Sequence, residues 1–348
     1  MMLRRRSVRV LAIVLVVVAL AVVTVVWLRR TRSPESVRLL PEADAVVYFD
    51  VKTLRTLGAF SGGQVSREAE YEEFVRATGF QFERDLDEAA FAVHAAKTPP
   101  AAGAPLGSDA RFSEIFIGKF DVARAHAYFQ KVAKSVERYR DVDIYLVPRG
   151  GWDSRVALLG IDRAAVSTAE SPKAMHMMID HYRAGALHTA GPSVLANFRE
   201  RIPLGSVAWG IARLSDGSGL GLPVPPMAAN LAGTTLVASV RPMFGGAHLR
   251  VEDVTPDAER AQRIVEGGNT MLEVFKQLEE GSTSGPDEDV KKLFESIQVR
   301  QEDKSAVLTA TVPPGFLKKV TSEPPAIAAP APEPTPVPTP APKRKKQK

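Results

Sequence analysis

The longest apolar run in the chain, Val10 to Leu28, holds nineteen residues, with Thr24 as its only polar side chain and no charge. As a helix rising about 1.5 Å per residue it covers roughly 28 Å, against roughly 30 Å of bilayer hydrocarbon. Trp27 sits where an interfacial aromatic belongs. The run is therefore predicted to be a membrane span. Everything after it is patterned in short pieces.

Ala45 to Val51 is mostly apolar and short enough for a buried strand. Tyr71, Phe74, Val75 and Ala77 have helical spacing, with Gly79 as a stop. Strands are predicted at Ala89 to Val93 and around Ile115-Phe116-Ile117, joined through the Pro- and Ala-rich piece 98–107. Asp121 is placed to cap a helix whose apolar stripe is Val122, Ala125, Phe129, Val132, Ala133 and Val136. Strands follow at Ile144 to Val147, Val156 to Ile161 and Ala164 to Thr168. Ser171-Pro172 then opens a helix ending near Gly185, with serine as cap and proline at the first position.

From Pro203 the pattern restarts. Val207-Ala208-Trp209-Gly210-Ile211 echoes Val46-Val47-Tyr48-Phe49-Asp50, Thr234 to Val240 echoes Ala89 to Val93, and Leu249-Arg250-Val251 echoes Ile115 to Ile117. Thr255-Pro256 opens a helix with Ala261, Ile264, Val265, Leu272 and Phe275, as Asp121 did. A short helix with Val290, Leu293, Phe294 and Ile297 and a strand at Ser305 to Val312 close the half. The fold class read from this order is α+β: an N-terminal transmembrane helix, two pseudo-repeated α+β halves with antiparallel or mixed sheets and helices on one face, and a disordered Pro-rich tail. The divisions are a basic N-terminus 1–9, anchor 10–28, linker 29–39, first half 40–195, second half 196–320 and tail 321–348.

Charge sharpens the picture. Of 45 Lys and Arg, seven arginines lie in residues 1–32 and five basic residues in 322–348; two of the 40 acids lie in the latter. Residues 33–321 thus carry 33 basic against 38 acidic side chains. A mildly acidic body is a poor candidate for nucleic acid, whose phosphates demand a basic face. There is no cysteine, so disulfides, thiolate metal sites, cysteine nucleophiles and a lipidated cysteine are all excluded. Ala19-Leu20-Ala21 has the form of a signal-peptidase site, but cutting there would leave an apolar terminus, so an uncleaved signal anchor is expected. The slight excess of positive charge before the span places the N-terminus in the cytoplasm and the body in the periplasm.

Candidate chemistry is sparse. Asp85/Asp87 and Asp141/Asp143 each put two carboxylates on one face of an extended segment, as some Mg²⁺ sites do; strand-entry turns also collect aspartates for their own backbone bonds. Met175, His176 and Met178, with Met177 and His181 nearby, form the one cluster of soft ligands suited to Cu(I). On a helix Met175 and Met178 share a face while His176 does not, which favours core packing. Gly217-Ser218-Gly219-Leu220-Gly221 lacks the lysine of a phosphate loop. The apolar, proline-stiffened Leu222-Pro223-Val224-Pro225-Pro226-Met227 is a candidate partner or membrane contact. Lys343, Arg344, Lys345, Lys346 and Lys348 form a basic tail suited to anionic lipid or acidic envelope polymers. No nucleophile elbow, Ser-x-x-Lys or His-Glu-x-x-His occurs, and His94, His126, His188 and His248 are isolated. No catalytic residue, cofactor or resident metal is assigned.

Leu40-Pro41-Glu42-Ala43-Asp44 leading into an apolar strand, Gly79-Phe80, and Asp85-Leu86-Asp87 resemble the order of features in a loose group of bacterial single-span envelope proteins, domains of unknown function with two related halves. The resemblance covers residues 8 to about 320. It implies an extracytoplasmic α+β body and carries no catalytic residue across. The expected function is a non-enzymatic binding or scaffolding module of the cell envelope with an envelope protein or polymer as partner; the competing expectation is an extracytoplasmic hydrolase with its site between the halves. Oligomeric state is not legible.

Overall fold

The computed structural model of the 348-residue chain describes residues 33–58, 69–94, 111–149, 152–185, 191–214, 233–244, 246–280 and 288–316. The expected span Val10–Leu28, the segments Gly217–Gly221 and Leu222–Met227, His188 and the basic tail lie outside them. Among the described residues no helix is long and apolar enough to cross a membrane.

The architecture is fixed by β1 (Ala45–Asp50), which pairs on one side with β2 (Leu86–His94) and on the other with β8 (Ala208–Leu214). Outward from β2 come β3 (Arg111–Gly118), β7 (Arg163–Ser167), β6 (Trp152–Leu158), β5 (Val142–Arg149) and β4 (Ser135–Tyr139). Outward from β8 come β9 (Thr234–Met243), β10 (Gly246–Val254), β12 (Ser305–Val312) and β11 (Gln298–Glu302). Among the described residues the result is one twelve-stranded sheet, every neighbour antiparallel. Sheets confined to each half are thus replaced by a continuous one. The reason is β1: Val46, Val47 and Tyr48 leave an apolar edge that β8 covers in register, with Tyr48 opposite Trp209 and their rings stacked at 5.4 Å. Open apolar edges invite such pairing.

Because side chains alternate along a strand, the register divides the sheet into two faces. On the front, Val46, Tyr48, Ile115, Ile144, Trp209, Ile211 and Val237 meet α1 (Glu35–Arg38) through Val37, α6 (Lys173–Ala184) through Met175, Met178 and Ile179, and α7 (Ser193–Phe198) through Val194 and Leu195. On the back, Phe49, Ala89, Phe91 and Phe116 lie under α2 (Val51–Thr56), α3 (Ala69–Thr78) and α4 (Phe82–Asp85), with Phe74 and Phe80 in the layer. α5 (Val122–Val132) adds Ala125 and Phe129 against Leu158 and Ala164. Helices therefore cover both faces of the first half, where one face was expected. In the second half α8 (Ala258–Glu280) lies on the back, since Gly268 approaches Val299, and Phe275 of α8 meets Phe294 of α9 (Glu288–Ser296).

The helix opened by Asp121 forms as expected: its carboxylate accepts from the Arg124 N–H at 3.1 Å. It stops at Val132, however, and Val136 belongs to β4, half exposed. Four-residue spacing from Val132 fits a helix equally well, and the ladder to β5 decides. Val51 starts α2 instead of ending β1, capped by Asp50, whose carboxylate accepts from the Thr53 N–H. The strand expected at Val156 to Ile161 ends at Leu158. α6 begins at Lys173, one residue later than expected, and the Ser171 hydroxyl accepts from its N–H at 3.3 Å. Gly118 is the one residue type β3 tolerates at its end: a Cβ there would lie 2.5 Å from the Asp85 carbonyl oxygen.

Strand direction gives the sheet two ends. At the near end sit Asp50, Glu88, Gly118 and Arg163; at the far end sit Ala45, His94, Arg111 and Ser167. The chain joins the body at the near end, where Glu35 pairs with Arg163 at 3.0 Å and the Ser36 hydroxyl donates to Glu88 at 2.8 Å.

Candidate functional site

Two polar constellations stand out on the front face. The first lies at the far end. His94, the last residue of β2, shares a 2.8 Å hydrogen bond between Nε2 and Ser113 Oγ on β3, and Ser113 Oγ lies 3.2 Å from Ser167 Oγ on β7. Asp44 precedes β1 beside His94; its N–H donates to the Val93 carbonyl at 3.3 Å and its own carbonyl accepts from Arg213. Burial pushes the His94 imidazole below the usual histidine range, and the nearby Asp44 charge opposes this.

A neutral imidazole against a serine hydroxyl, with a carboxylate close by, is the chemistry of a general-base pair. The surroundings say otherwise. Ser113 is completely buried and Ser167 nearly so, and acyl transfer needs a substrate carbonyl about 3 Å from the nucleophile. What the chain does is satisfy hydroxyls that three strands carry into the interior, tying β2, β3 and β7 together. Glu114, the only acid adjacent in sequence, cannot join it, because neighbouring strand residues point to opposite faces. It sits on the back, where burial pushes its carboxyl up to about 7 against the pull of Arg149.

The second constellation crosses the front face of the second half. Glu252 on β10, nearly fully buried, is paired with Arg201 from the 3-10 turn Arg199–Arg201 and with Arg250 at 3.2 Å. Arg250 also holds Glu302 of β11 at 2.7 Å, as does Arg300, and Arg201 donates to the Ser305 hydroxyl at 3.2 Å. The Arg250 and Arg300 guanidiniums hold the Glu302 carboxyl down at about 2. With three guanidiniums against two carboxylates, the ladder is net positive, and Arg201 and Arg300 keep about half their surface in solvent. Such a face can engage carboxylate or phosphate groups bidentately.

The residues singled out in the sequence are mostly dispersed. Met175 and Met178 are fully buried in the front core, whereas His176 points elsewhere, stacked on Tyr139 and 2.9 Å from Glu137. The aspartate pairs also diverge: Asp85 accepts from Arg84 and the Gln81 N–H, while Asp87 pairs with Arg55 at 3.0 Å. Asp141, at a left-handed turn position, and Asp143 both face the Arg138 guanidinium, at 3.7 and 3.9 Å, so this pair is neutralised by an arginine instead of left open to a cation. His126 bonds the Tyr145 hydroxyl at 2.7 Å and His181 the Leu39 carbonyl at 3.2 Å. Among the described residues no three His, Cys, Asp or Glu side chains are grouped to hold a metal ion. The ladder was missed altogether; alternating charges in Arg250-Val251-Glu252 and Arg300-Gln301-Glu302 were the available signal.

No protein-family model matches the chain, and no curated protein does. Among solved structures it is similar to TP0453: crystal form III at a TM-score of 0.44 and 10% identity, covering 83% of this chain and 98% of that one, and crystal form I at 0.44 and 11%, covering 83% and 96%.

Proposed function

We propose that this chain is a membrane-anchored periplasmic protein whose body is a binding or scaffolding module without catalytic activity. The observation that carries the reading is the ionic ladder of Arg201, Glu252, Arg250, Glu302 and Arg300, a net-positive set of side chains held by ion pairs across the sheet. Its occupant is an acidic envelope protein or polymer. The body is read as two related halves: each runs three strands outward from the β1–β8 seam, crosses by helix, and returns, by the four strands β4–β7 in the first half and the hairpin β11–β12 in the second, so that its last strand pairs with its third. Protease added to spheroplasts should digest the body, and a photo-cross-linker carried at Arg300→Cys should capture an acidic partner. Protection of the body from protease would refute the periplasmic placement.

The competing reading is a hydrolase; the hydroxyl–imidazole pair it would draw on is the buried His94–Ser113 contact, which lies within the first half and not between the halves as expected. A fluorophosphonate probe decides between them. Labelling of the wild type that Ser113→Ala abolishes would establish a nucleophile; an unlabelled folded protein would favour the binding module.

A further inference from the structure

Exposed large apolar side chains scattered singly over a protein need no explanation. Here they gather. At the near end of the sheet lie Leu57 after α2, Phe82 at the start of α4, Ile161 in the β6–β7 turn, Leu204 ahead of β8, and Met243 and Phe244 at the β9–β10 hairpin tip. Ile161 is 80% exposed and Phe244 fully so. Toward the far end the described residues offer Trp152 and Val136, while Met177, Val274 and Phe275 lie along helices. Beside this hairpin Gly246 packs where a Cβ would meet the Val312 carbonyl oxygen at 2.4 Å.

The near end is also where the chain joins the body. Glu35 and Ser36 are fastened there by Arg163 and Glu88, and six residues separate Glu35 from the apolar run ending at Leu28. Fully extended, six residues reach about 20 Å. If that run spans the bilayer, the tether holds this end, and not the far end, against the membrane surface. An aromatic at a hairpin tip and an isoleucine in a turn suit the headgroup boundary, where apolar bodies are buried beside polar backbone.

We infer that the near end of the sheet rests on the same bilayer that the anchor crosses, with Phe244 and Ile161 inserted at the headgroup level. The far end, with its imidazole–hydroxyl chain, then points away from the membrane. The inference rests on the anchor reading of the proposed function and goes beyond it by orienting the body.

The full chain has no native cysteine, so it can be labelled at single positions. Phe244→Cys, Ile161→Cys and, at the far end of β4, Ser135→Cys would each carry an environment-sensitive fluorophore in proteoliposomes containing nitroxide-bearing lipid. All three residues are exposed, and folding is checked by circular dichroism. Quenching several-fold stronger at 244 and 161 than at 135, with blue-shifted emission, is the expected result. Equal, water-like emission at all three sites in a chain that resists alkaline extraction would overturn the inference and leave the anchor standing. A chain stripped from the vesicles by alkali would overturn both.

Discussion

Glu114 is the side chain whose titration the whole fold should feel. Its carboxyl is held at about 7 by burial among the aromatic residues of the back face, against an ordinary value near 4.3. The folded state therefore binds more protons than the unfolded one between those two values. Stability is greatest at the acid end of that window and falls as pH rises through it, by about 2–3 kcal/mol. His94 acts oppositely: its depressed value means stability is lost as pH drops below the ordinary histidine range. Thermal unfolding followed from pH 5 to 8 should show the decline in the wild type and its loss in Glu114→Gln. Neither group was legible as special. Alternation places His94 and Ser113 on whichever face their strands present, but only the β2–β3 pairing, set across residues 95–110, brings them within 2.8 Å.

At the level of elements, the ionic ladder separates buried from exposed charge. Glu252 lies between Arg201 and Arg250 with almost no solvent contact; removing its charge leaves two guanidiniums facing each other. Glu252→Gln should cost about 3–5 kcal/mol, read as a lower denaturant midpoint. Arg300→Ala, at a half-exposed position on edge strand β11, should stay within about 1 kcal/mol. Elements that bury an apolar side were legible: β2 and β12 follow their sequence patterns, and β1 and α5 do so apart from their C-terminal ends. β4 and β11 were not. Ser135-Val136-Glu137-Arg138-Tyr139 and Gln298-Val299-Arg300-Gln301-Glu302 carry charge on positions that a core strand would fill, because they are the two outermost of the described strands, where charge discourages edge-to-edge association. The short helices α1, α2 and α7 span too few residues for a period to show.

At the scale of the molecule, the seam between β1 and β8 makes the two halves one object. Tyr48 and Trp209 stack across it in the front core, so truncating one loosens both. Trp209→Ala should destabilise by about 3–5 kcal/mol. Unfolding monitored by near-ultraviolet and far-ultraviolet circular dichroism should give coincident single transitions in the wild type; two resolved transitions would mean that the halves are independent. An echo of Val46–Asp50 in Val207–Ile211 was visible in the sequence. That the echoing strands would be each other's neighbours was not, because nothing local in a strand names its partner.

That seam also carries a consequence for synthesis. β1 emerges early, yet the strand that closes its edge follows roughly 160 residues later. At about 5–20 residues per second, its Val46-Val47-Tyr48 edge waits on the order of ten to thirty seconds for β8. During that interval the nascent chain carries an open apolar strand, a template for pairing with any neighbour. This molecule's risk of misassembly is thus concentrated before residue 214 has left the ribosome, and a holding chaperone would find its work there.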